Sequence, residues 1–174
     1  MKILKICLAI AASSVVTATA WSAGVVAQDQ LRNLNQERRI EQGLRSGTLT
    51  TKEAGQLERE EQRIDRMEGQ DLKNGPLTNA EQRQINAAEN KVSRDILDEK
   101  TDAQHGNPGS ASSERMQSDV QRDVKEQHRI QNGLDNGPLT NREAGQLELG
   151  QAHIDRDEAS AAANGQMRAV EQQR

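Results

Sequence analysis

The chain has 174 residues but no Phe and no Tyr, a single Trp at position 21 and a single Cys at position 7. With no aromatic residue beyond Trp21, there is no platform on which bases of single-stranded nucleic acid or sugar rings could stack. One thiol cannot close an intrachain disulfide or build a cysteine-based metal site. An excess of positive charge is missing too: Lys and Arg number 23 against 27 Asp and Glu, a formal net charge of -4. That balance does not draw phosphate backbones or anionic lipid, so no nucleic-acid partner is expected. Large apolar residues are also scarce. The hydrophobic share is 33% and the mean hydropathy -0.92, and Leu, Ile and Val together fall below the roughly 20% of ordinary globular cores. A thick globular core is therefore excluded, and order depends on how the few aliphatics are placed.

The beginning of the chain reads as a leader. Lys2 and Lys5 precede a short apolar run, and small residues follow. This pattern predicts a secretory signal peptide over residues 1–27, with cleavage after Ala20 or after Ala27, and no stable membrane span once it is removed. Export to the periplasm or outside the cell is the expectation. Cys7 would leave with the leader, as would Trp21 with the later cut.

What is abundant is repetition. Residues 39–68 recur as residues 129–158, shifted by 90 positions and identical at more than half of them. A shorter unit recurs inside the first copy: Gly47-Thr48-Leu49-Thr50-Thr51-Lys52-Glu53 reappears as Gly75-Pro76-Leu77-Thr78-Asn79-Ala80-Glu81. Its third instance is Gly137-Pro138-Leu139-Thr140-Asn141-Arg142-Glu143. Self-similarity of this kind marks one supersecondary unit stacked on copies of itself.

Each unit reads as helix, turn, helix. Leu31, Leu34, Ile40 and Leu44 are spaced for one helical face, and Gly47 suits the position just past a helix end. Thr50 is placed to cap the next helix, with Glu53 three residues on to close a capping box; Thr78 with Glu81 and Thr140 with Glu143 repeat the pair. Gly75 and Gly137 hold the place of Gly47. The second helix carries Ala54, Leu57, Ile64 and Met67, echoed by Ala144, Leu147 and Ile154, and the third carries Ile85, Val92 and Ile96. One large residue every two turns makes a narrow apolar seam, suited to thin hairpins or a coiled-coil-like contact with a protein partner or a second copy. Gly55 and Gly145, inside a helix where glycine is costly, suggest close approach of another helix.

The expected fold is all-α: tandem helical hairpins, with residues 28–100 as the first module, 101–113 as a linker and 114–174 as a second, partial module. Nothing in the second copy corresponds to the segment carrying Ile85, Val92 and Ile96. Its seam should therefore fray or pair with another chain.

The pattern Ile40-x-x-Gly43-Leu44-x-x-Gly47-x-Leu49-Thr50-x-x-Glu53, followed by a second unit and by Asn90-x-x-Ser93-x-x-Ile96, resembles a family of uncharacterised exported bacterial proteins built on Gly-x-Leu-Thr-x-x-Glu pairs. That resemblance implies export and no particular activity. Asn74-Gly75-Pro76-Leu77-Thr78-Asn79-Ala80-Glu81 is similar to the second half of an EF-hand loop, which implies Asn74 and Glu81 as calcium candidates. Gln70 and Leu72 stand where the first carboxylates of such a loop belong, so a capped helical turn is the preferred reading. Leu77-Thr78-Asn79-Ala80-Glu81-Gln82 also resembles the LTxxQ motif of periplasmic stress chaperones, which are all-helical and non-enzymatic.

Reactive constellations are wanting. His105, His128 and His153 are the only histidines, and His153 with Asp157 is a single i, i+4 pair where zinc needs three or four ligands. No glycine-rich phosphate loop is present, and adjacent acids such as Glu60 and Glu61 read as a solvated face. No catalytic residue and no cofactor is expected. The function expected is binding or structural association, with a stress chaperone or a weak calcium module as alternatives.

Overall fold

The computed structural model describes residues 16–168, with side chains from residue 26 onward. It is all-helical, in five elements: α1 (Val16–Ser46), α2 (Thr51–Lys73), α3 (Asn79–Thr101), α4 (Ala111–Asp135) and α5 (Asn141–Ala162). Of the leader expected over residues 1–27, residues 1–15 lie outside the described residues and the remainder begins α1. Among the described residues no helix is long and apolar enough to cross a membrane.

The helix ends follow local chemistry. Gly47 takes φ +76° and Gly137 φ +80°, in the left-handed region that favours glycine. Two residues on, the Leu49 amide donates back to the Gly43 carbonyl at 3.1 Å, and Leu139 does the same to Gly133 at 3.0 Å. Thr50, Thr78 and Thr140 each accept from the backbone N–H three residues ahead, while Glu53, Glu81 and Glu143 accept from the threonine N–H, closing three capping boxes. Each cap contributes on the order of 1 kcal/mol.

Hairpins α1–α2 and α4–α5 pack on each other as a four-helix bundle, with the most extensive contacts between α2 and α5 and between α1 and α4. The α2–α5 crossing is close and antiparallel. A Cβ on Gly55 would lie 2.5 Å from the Ala162 Cβ, and one on Gly145 would lie 2.7 Å from the Leu72 Cβ. Shifting either pair by 90 positions gives the other, so the sequence duplication appears in space as an exchange of the two hairpins. Glycine at 55 and 145 is what lets these backbones approach.

The fifth helix breaks the symmetry. α3 packs on α1 and α2 only, with Ile85, Val92 and Ile96 in one apolar cluster with Leu57 and Ile64. Arg32 binds Asn86, Asn90 and Glu89 of α3, and Gln36 and Arg39 donate to the carbonyls of Glu89 and Ser93.

The segment expected as a linker, residues 101–113, bonds to the first hairpin. Gly106 donates to the Gly47 carbonyl at 2.9 Å, and a Cβ on Gly106 would lie 2.2 Å from the Leu49 carbonyl oxygen. Ser110 caps α4, so residues 111–113 are already helical. The described tail also docks: Met167 is buried in the main cluster, and its N–H donates to Ser112 Oγ at 2.7 Å.

Candidate functional site

Each bundle helix buries a row of residues at alternating spacings of four and three, the seam of a helical bundle. On α1 the row is Val26, Gln30, Asn33, Glu37, Ile40 and Leu44; on α2 it is Ala54, Glu58, Glu61, Asp65, Glu68 and Leu72. On α4 it is Met116, Val120, Asp123, Gln127, Ile130 and Leu134; on α5 it is Ala144, Glu148, Gln151, Asp155, Glu158 and Ala162. The ends of every row are apolar and the middle is acidic or amide. None of these positions holds Lys, Arg or His.

Two groups of three carboxylates converge in that middle. Glu37, Glu58 and Asp123 each bring an oxygen within 4.8 Å of the others, and so do Asp65, Glu68 and Glu148. Amides brace the second group: Gln30 Nε2 and Asn33 Nδ2 donate to Glu68 at 3.0 and 3.1 Å, and Gln127 Nε2 lies 3.4 Å from Glu148. In the first, Gln151 Nε2 donates to Asp123 at 2.7 Å and to Asp155 at 3.0 Å.

Burial dominates the acidity of these groups. It pushes the carboxyls of Glu58 and Glu37 well above the usual range, and the facing acids push further. Asp123 is raised to about 6 by burial against the opposing bonds from Gln151 and Glu158, and Glu148 to about 7 by burial against those from Gln127, Asp65 and Gln30. Glu89, at the α3 contact, is raised to about 8 by burial and by Asp29, which the Arg32 guanidinium opposes without overcoming. Nine bare carboxylates in such an interior are untenable, because desolvation is repaid only by protons or by counter-charge.

Glu60 and Glu61 do not share a solvated face: Glu61 is fully buried in the seam, while Glu60 pairs outside with Lys91 at 2.6 Å. The apolar stripe Leu57–Ile64 faces α3, and the acidic stripe one position later faces the bundle. The signal was available, since Glu58, Glu61, Asp65 and Glu68 are spaced three, four, three, and three of the four recur as Glu148, Asp155 and Glu158. Leu31 also departs from the expected apolar face of α1, at 44% exposed.

The remaining candidates stay outside this interior. Asn74 ends α2, bonded to the Gln70 carbonyl at 3.4 Å, and Glu81 accepts from the Thr78 N–H at 2.6 Å, which holds its carboxyl below the usual value. His105, His128, His153 and Asp157 are exposed. Glu53, Glu99 and Asp102 also converge, but Glu53 is engaged in its capping box.

A second feature lies on the outer surface. Leu57 and Ile64 are 2% and 1% exposed beneath α3, whereas their counterparts Leu147 and Ile154 are 46% and 39% exposed. Beside them a groove of about 510 Å³ is lined by Arg129, Ile130, Gly133, Pro138, Leu139 and Leu147, among others. Arg39, the counterpart of Arg129, binds the α3 backbone.

No family model, curated protein or solved structure matches this chain.

Proposed function

We propose that this is an exported, non-enzymatic helical-repeat protein that acts by association, accepting an amphipathic helix of a protein partner on the outer face of α4 and α5. The observation that carries the reading is the contrast between Leu57 and Ile64, covered by α3, and Leu147 and Ile154, which the second copy leaves open. The partner helix would resemble α3: aliphatic residues seven and four apart, as in Ile85, Val92 and Ile96, with hydrogen-bond acceptors for Arg129. Helix-in-groove recognition uses such anchors. Export is supported by the leader-like start of the sequence and by the resemblance of its Gly-x-Leu-Thr-x-x-Glu units to exported proteins.

The test is a titration of the purified protein with a labelled peptide of the α3 sequence Asn79–Thr101, followed by fluorescence anisotropy. Saturable binding that Leu147→Glu abolishes is the expected result. No binding up to millimolar peptide rejects the reading. Chaperone action is the second reading, favoured by the same solvent-facing Leu147 and Ile154; it requires that the protein suppress client aggregation and that Leu147→Glu remove the effect.

A further inference from the structure

We infer that the interior of the bundle holds two hard divalent cations of calcium size, at two sites that the sequence duplication makes equivalent in position and unequal in charge. This goes beyond association at the outer face and does not depend on it.

Position comes from the repeat. The triad Glu37, Glu58 and Asp123 corresponds, across the 90-residue exchange, to Gln127, Glu148 and Asn33. The triad Asp65, Glu68 and Glu148 corresponds to Asp155, Glu158 and Glu58. Each site thus draws on the same five positions, two on α1 and α4 and three on α2 and α5. The first site has five carboxylates: Glu37, Glu58, Asp123, Asp155 and Glu158. In the second, Asp65, Glu68 and Glu148 remain acidic and Asn33 and Gln127 supply amides.

A second observation points to a ligand. The carbonyl oxygens of Gln30, Asn33 and Gln127 have no hydrogen-bond partner among the described residues, although these side chains are at most 2% exposed. Their amide nitrogens are spent on Glu68 and Glu148, which holds the three side chains at the second site. In the first site neither oxygen of Glu58 has a partner among the described residues, and that residue is fully buried. Oxygen acceptors outnumber donors at both places.

Donor chemistry selects the ion. Every group is a carboxylate or an amide oxygen; among the described residues neither site includes imidazole or sulfur. Zinc favours nitrogen and sulfur in a tetrahedral set. Magnesium demands near-ideal octahedral geometry and sheds water reluctantly, whereas calcium accepts six to eight oxygens, Asn and Gln carbonyls included, in flexible arrangements. Crowded carboxylates on four helices suit the larger ion.

The experiment uses chelator-stripped protein titrated with CaCl2, read by calorimetry and by thermal melting. Two ions bind, and the melting temperature rises. The double variant Glu58→Gln, Asp123→Asn loses one ion, and Asp65→Asn, Glu148→Gln loses the other. Both variants melt higher than the parent when stripped at neutral pH, because a neutral amide replaces a buried acid. Asp157→Asn, on the surface, changes neither stoichiometry nor melting. A purely structural seam would respond to none of the added ion. Absence of a melting shift at millimolar calcium overturns the inference. So does a shift that survives in both double variants, or a response to zinc with none to calcium.

Discussion

Leu57 and Leu147 hold the same place in the two copies of the repeat, yet Leu57 is 2% exposed and Leu147 46%. The difference is α3, which follows the first hairpin and packs on α1 and α2 alone. Truncation should therefore read out the asymmetry directly. Leu57→Ala should cost about 2–5 kcal/mol, as buried leucines do, and Leu147→Ala less than about 1 kcal/mol in the isolated chain. Chemical denaturation of both variants checks this; equal losses would mean that Leu147 is covered in solution.

Stability should fall as pH rises. Burial raises Asp123 from 3.8 to about 6, Glu148 from 4.5 to about 7 and Glu89 from 4.5 to about 8. Between the ordinary and the raised values the native chain holds more protons than the unfolded one. Stability is then fully present below the ordinary carboxyl range and is lost as pH climbs through the raised values. Chelator-treated protein should melt highest at about pH 4 and progressively lower up to about pH 8, the reverse of ordinary acid denaturation. The exposed carboxylates of Glu81 and Glu143 are lowered by their threonine caps and act weakly in the opposite sense. A melting temperature that climbs steadily from acid to neutral pH would contradict the buried seam.

Glycine substitutions should divide by location. Gly55→Ala and Gly145→Ala force a methyl to within 2.5 Å of Ala162 or 2.7 Å of Leu72, and overpacking of this kind costs about 1–3 kcal/mol. Gly150 is helical, and among the described residues nothing beyond its own stretch of helix comes within 4 Å of where a Cβ would stand, so Gly150→Ala should stabilise by about 0.5–1 kcal/mol. Thermal melts of the three variants compare them side by side.

The caps offer a local control. Thr140→Ala removes the acceptor for the Glu143 N–H, 3.3 Å from Thr140 Oγ1, and should cost about 1 kcal/mol. Because this cap is exposed and remote from the acidic rows, the pH at which stability is greatest should stay where it is. A shift of that optimum would tie the cap to the seam.

How much of this was legible depends on range. Helix ends were, because Gly47, Thr50 and Glu53 act on groups within one turn of themselves. The direction in which the acidic stripe faces was not, because it depends on the neighbouring helices. On α2 the apolar pair Leu57 and Ile64 and the acidic pair Glu58 and Asp65 have the same seven-residue period and differ by one position, about 100° around the helix. A single helix says that two stripes exist, and hydropathy alone assigns the acidic one to water.

By itself, then, the order of residues determined where helices start and stop, and that one hairpin is written twice. Which stripe faces which neighbour was decided by tertiary structure alone. Close passage of α2 over α5 at Gly55 and Gly145 turns Glu58, Asp65, Glu148 and Asp155 toward one another, and carboxylates from distant parts of the chain meet where desolvation makes charge costly. That energy arises from convergence in three dimensions, so no run of neighbouring residues contains it.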